Sequence, residues 1–153
     1  MLDTETGNLT DRGKEEMQVV AFRLNAEEYA VDILSVHEIN KMLDITRVPR
    51  APEYIQGVVN LRGNVIPVIN LHQRFKLGEF CQTDDSRIII FKHGDVPAAI
   101  MVDQVSEVLG IKTADIEKAS QVYSSLDSEL IQGVVHIGGR LLILLNLGKL
   151  LEE

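Results

Sequence analysis

The chain has 153 residues, 45% of them hydrophobic, with no Trp and few other aromatics, so it holds enough Val, Ile and Leu for one compact unit or two very small subdomains sharing a core. A formal net charge of −8 with only 15 basic residues argues against a nucleic-acid partner, which needs a basic stripe to neutralise phosphates. No apolar run reaches membrane-spanning length, no basic-then-apolar leader opens the chain, and the one cysteine, Cys81, has no internal partner; these point to a soluble cytoplasmic protein without direct membrane insertion.

Residues 1–16 are polar and acidic with little periodicity and read as a disordered tail. Gln18–Asn25 is a strand, Ala26-Glu27-Glu28 a turn, and Glu28–Ile33 the hairpin partner. The spacing of Val31, Ile33, Val36 and Ile39 then moves from period two towards helical, predicting a short helix over Leu34–Asn40. Ile45–Val48 is a candidate strand ended by Pro49 and Pro52, with one helical turn after Pro52. Tyr54–Leu71 follows as a β-hairpin, with Gly63 supplying the backbone freedom of the turn and Pro67 demanding an edge position or a bulge. Asn70 is placed to cap the short helical pattern after it.

The hairpin block returns as Leu130–Leu147 at an offset of 76, identical at eight of 18 positions, among them Gly57/Gly133, Gly63/Gly139 and Asn70/Asn146. After a connector at Phe75–Asp85, Ser86–His93 and Val96–Val102 replay the opening hairpin at an offset of 69, pairing Phe22 with Phe91, Val36 with Val105 and Glu38 with Glu107. Gln104–Leu109 then matches the helical or irregular segment, Ile111–Glu117 is ambiguous, and Ser124–Leu130 is a candidate helical turn. About five short strands per half and no long crossover helix predict a mainly β fold of two five-stranded barrels. The first spans about residues 17–76, with the C-terminal helix as a further element to pack on it, and the second about 86–147.

Nothing in the sequence marks an active site. His37, His72, His93 and His136 have no short metal-ligand spacing, and Gly138-Gly139 is a hairpin turn, not a phosphate cradle, so neither metal nor cofactor is expected. Arg62 at a hairpin tip reads either as a turn residue exposed for solubility or as a partner anchor. Val36 and Ile39 with Glu38 between them, repeated as Val105 and Val108 with Glu107, read either as core or as two apolar edges flanking a groove.

The pattern FRLNAEEYAVDILSVHEI, the block GVVNLRG with VIPVINL after it, and the closing LILLNL together resemble the CheW family of chemotaxis scaffolds from about Met17 onward. The same domain is found as the regulatory domain of the kinase CheA and in CheV. The resemblance implies two SH3-like barrels around a shared core and a non-catalytic bridge between CheA and the cytoplasmic tips of methyl-accepting chemoreceptors in membrane arrays. It assigns Arg62, Val36, Glu38 and Ile39 to a receptor-facing groove, with Val105 and Val108 on the opposite wall. A kinase-facing surface falls on the second barrel, at Gly133, Val134, Val135 and Ile137. The alternatives are a ligand- or metal-binding barrel or enzyme with a pocket between the halves, or a regulatory piece of a larger kinase.

Overall fold

Apolar runs that lack alternation, such as Val19–Phe22, Ile88–Phe91 and Ala98–Met101, need cover on both faces. The computed structural model, which describes residues 15–118 and 130–150, provides it by packing two sheets on one shared core. In chain order, β1 (Glu16–Leu24) and β2 (Glu27–Asp32) form the opening hairpin, and a 3-10 turn (Ile33–Ser35) leads into β3 (Val36–Lys41). β4 (Ile55–Leu61) and β5 (Asn64–Asn70) form the repeated hairpin, followed by α1 (Leu71–Arg74). The second half runs β6 (Arg87–His93), β7 (Val96–Val102), β8 (Gln104–Lys112), β9 (Glu117–Lys118), β10 (Ile131–Ile137), β11 (Arg140–Leu145) and α2 (Leu147–Leu150).

The mainly β expectation holds, but the sheets do not follow the sequential division into 17–76 and 86–147. One sheet is ordered β8-β1-β2-β11-β10-β9 and the other β3-β6-β7-β5-β4. The hairpin that opens each half therefore pairs with the later strands of the other half. The alternation of β1 and β6 shows what this achieves. Val20, Phe22 and Leu24 face the shared core with Ile89 and Phe91, while Val19 and Ala21 face a cluster belonging to the six-stranded sheet. Ile88 and Ile90 likewise face a cluster of the five-stranded sheet, with Val59, Val68 and Met101. Leu147 and Leu150 of α2 also enter the shared core, so the C-terminal helix belongs to both sheets. A polar tie joins them as well. His72 Nε2 lies 2.8 Å from Asp103 Oδ1, and the Asn25 N–H donates to Asp103 Oδ2 at 2.7 Å, linking α1, the β7–β8 junction and the β1–β2 turn.

The helix expected over Leu34–Asn40 is confined to the 3-10 turn at Ile33–Ser35, and Val36–Lys41 is a strand. The cause is a β-bulge: Val36 pairs with Phe91 and Glu38 with Ile90, leaving His37 as the extra residue. One inserted residue shifts the alternation, so Ile33, Val36 and Ile39 acquire a spacing of three without any helix. The same correction applies to Gln104–Leu109, which is β8, with an equivalent bulge at Ser106.

Pro67 lies inside its sheet rather than on an edge strand, yet its missing N–H costs nothing. The bonds between Val58 and Thr46 turn Val58's backbone groups away from β5, so those of Pro67, opposite Val58, point away from β4. On that side the parallel pairing with β7 begins only at Val68. The bulge in this hairpin falls instead between Ile55 and Gly57.

Asn70 and Asn146 both cap as expected, accepting from the N–H groups of Gln73 at 3.1 Å and Lys149 at 3.4 Å. The candidate strand at Ile45–Val48 is reduced to a Thr46–Val58 bridge, and the turn after Pro52 is closed by Ile55 N–H to Pro52 O at 3.0 Å. Residues 1–14 of the expected tail and 124–129 of the expected turn lie outside the described residues, while Glu16 already belongs to β1.

Gly57 and Gly133 occupy matching places where another stretch of backbone crosses closely. A Cβ on Gly57 would meet Thr46 O at 2.2 Å, and one on Gly133 would meet Glu117 O at 2.6 Å. Gly133→Ala should therefore lower stability by about 1–3 kcal/mol, the usual range for overpacking. Urea denaturation measures it, and an unchanged midpoint would show that the crossing segment yields freely.

Candidate protein-interaction site

The residues singled out on β3 and β8 fall into two sets, separated by which face of the strand they occupy. Residues directly opposite on paired strands share a face. Val36 lies opposite Phe91, Ile39 opposite Ile89, Val105 opposite Phe22 and Val108 opposite Val20, and all four partners belong to the shared core. The four apolar residues therefore stand on the inward faces of two edge strands, at the margin of the core between the sheets. Val36 and Val105 pack against that core, whereas Ile39 and Val108 remain 39% and 50% exposed. The margin is an apolar surface left partly open to solvent.

Glu38 and Glu107 point the other way, since they lie opposite Ile90 and Ala21 of the separate clusters. Arg62, in the β4–β5 turn with φ +53°, reaches Glu38 with both guanidinium ends, at 2.5 and 3.3 Å. β3 and β4 are the two ends of the five-stranded order, so this ion pair clasps a curled sheet whose ends share no ladder. Glu38, and Arg62 bound to it, thus lie on the face of β3 turned away from the shared core.

The six-stranded sheet has a clasp that sequence reasoning missed. Arg140 Nε and Nη2 donate to Glu28 at 2.9 Å each, and Nη1 donates to Glu107 at 2.8 Å. Gly138 holds the position equivalent to Arg62, so the halves look unlike each other in sequence. The structure restores the likeness from two residues further on. The only advance signal was the repetition of Glu38 as Glu107.

The carboxylates respond to these partners. The hydrogen bonds from Arg140 hold Glu28 below the usual carboxylate range against the opposing effect of burial, and Arg140 is pushed above its ordinary value in turn. Glu38 is likewise lowered, first by Arg62 and then by Asn40.

The kinase-facing expectation needs correction. Gly133, Val134 and Val135 are buried, the two valines in the shared core and the cluster of the six-stranded sheet, so they cannot form a surface; Ile137 is half-buried. The histidines are dispersed: His72 is buried beside Asp103, His93 lies against Gly148, and exposed His136 sits 3.8 Å from Glu117. Among the described residues no group of three or more His, Cys, Asp or Glu side chains is arranged to hold a metal, and no helix is long and apolar enough to cross a membrane.

The family model for the CheW-like domain matches residues 18–153. The chain belongs to the CheW family. The chemotaxis protein CheW of Treponema pallidum is 37% identical, with 91% of this chain and 84% of that protein covered, and its Bacillus subtilis counterpart is 35% identical, with 89% and 87% covered. The crystal structure of the scaffolding protein TtCheW from Thermoanaerobacter tengcongensis superposes with a TM-score of 0.80 at 38% identity, covering 87% of this chain and 86% of that one. As a CheW-family member the chain is a non-catalytic scaffold of chemotaxis signalling.

The lowered Glu28 gives the CheW fold a testable acid dependence. A carboxylate whose value is depressed on folding contributes stability that is complete at neutral pH and lost as pH falls through the lowered value. The stability gap between the natural chain and Arg140→Met should thus be widest near neutral pH and close in acid. Denaturation at a series of pH values measures it, and a gap that is constant or widens in acid contradicts the assignment.

Proposed function

We propose that this scaffold bridges the cytoplasmic tips of methyl-accepting chemoreceptors to the regulatory domain of the kinase CheA, and that receptors gather it to membrane arrays from the cytoplasm. The observation that carries the reading is the apolar margin between the sheets, where Val36, Ile39, Val105 and Val108 face inward from two edge strands and Ile39 and Val108 stay exposed. A partner helix that presents apolar side chains at helical spacing has the shape that a groove between two walls accepts. Arg62 and Glu38 stand behind the β3 wall, so they act on the receptor by holding β3. The kinase contact is assigned to the opposite hairpin end, where Ile137 is the accessible one of the four residues considered there.

Such a bridge works by position. It holds receptor and kinase at a set geometry, and a receptor conformation that contacts the groove differently biases the kinase between its states.

Calorimetric titration with a receptor cytoplasmic tip and with a CheA regulatory domain, separately and together, tests the bridge: both should bind, without competing. Val108→Asp should weaken receptor binding at least about tenfold through a buried, unpaired charge, with kinase binding retained. Arg62→Ala should weaken receptor binding without unfolding the protein. If the folded natural chain binds neither partner, or Val108→Asp binds the receptor undiminished, the reading fails.

A further inference from the structure

β8 is held by backbone pairing on one side only, to β1, because it ends the strand order. Even that ladder is interrupted at Ser106, between Val105 and the Glu107–Val108 pair. A bulge in an edge strand is where backbone hydrogen bonding fixes a strand least. Here it falls in the middle of the groove wall. The restraint that spans it is a side-chain one: Glu107 is tied to Arg140, and Arg140 to Glu28 on β2.

The five-stranded sheet solves the same problem in the same way, with a bulge at His37 and Glu38 tied to Arg62. The two clasps differ in reach. Arg62 is 66% exposed and holds one carboxylate through a pair of bonds, whereas Arg140 is 35% exposed and holds two carboxylates, one of them through a pair of bonds. A planar guanidinium engaged on both sides restrains direction as well as distance.

We propose that Arg140 is a positioning residue for the groove: by joining Glu28 to Glu107 it fixes edge strand β8 and so sets the place of the Val105–Val108 wall. This rests on the groove being the receptor face. Arg140 touches no partner in this account; it acts through Glu107. The β8 wall is then the stiffer of the two, and a partner seated between them displaces β3 more readily than β8.

The test uses the full chain with Arg140→Gln, Arg140→Lys and Glu107→Gln, the last keeping the β10–β11 end untouched. Amide hydrogen exchange across Val105–Leu109 reports the restraint, and titration with the receptor tip reports its consequence. Arg140→Gln and Glu107→Gln should exchange about tenfold faster in that stretch and bind the tip about 5- to 10-fold more weakly. Arg140→Lys, which keeps the charge and loses the fork, should fall between them and the natural chain. Exchange unchanged in both Gln variants overturns the inference. Faster exchange with unaltered tip affinity leaves the clasp standing and removes the β8 wall from the receptor face. Should Arg140→Gln fail to fold, Glu107→Gln decides the matter alone.

Discussion

The structure depends on one constraint: two sheets must be covered on both faces with 153 residues. Each sheet keeps a small cluster of its own on one face, and one larger core covers the other face of both. Phe22 and Phe91, equivalent in the repeat and both fully buried, mark its centre. The exchange of opening hairpins between halves follows from this. If each half kept its own hairpin, the halves would be separable units joined by a thin contact. With the hairpins exchanged, each sheet is built from strands of both halves.

The shared core also accounts for the groove. The edge strands β3 and β8 carry its apolar face out to the margin. Their inward residues begin half-buried, at Val36 and Val105, and end exposed, at Ile39 and Val108. The surface offered to a partner is the unfinished end of the protein's own interior. Ion pairs near water add little to stability, so the value of the Arg62–Glu38 and Arg140–Glu28–Glu107 clasps lies in geometry. They hold edge strands that bulges have loosened.

A wall held by side-chain clasps in place of a full ladder has fewer backbone restraints than the strands inside the sheets. The same chain carries a rigid interior, fully apolar and closely packed, directly behind that wall.

Much of this was legible in the residues. The internal repeat, the hairpin blocks, the capping asparagines and the opening hairpins are local events, governed by alternation and turn chemistry within a few residues. Other features were misread for specific reasons. A bulge at His37 and at Ser106 gave strands the spacing of helices, because one inserted residue changes the phase of everything after it. Gly133 and its valine neighbours read as surface, but Glu117 crosses Gly133 from 16 residues earlier in the chain and the valines enter the two buried clusters. Arg140 went unnoticed because an ion pair to Glu28, 112 positions away, leaves no mark in either neighbourhood. The sequence by itself determined the hairpin strands and that they come in two related sets. Only the tertiary structure decided which half supplies each sheet, which face each edge residue presents, and which arginine holds which wall. Strand pairing and side-chain ion pairs between distant segments are set by packing of the shared core, a property of the whole chain that no local window contains.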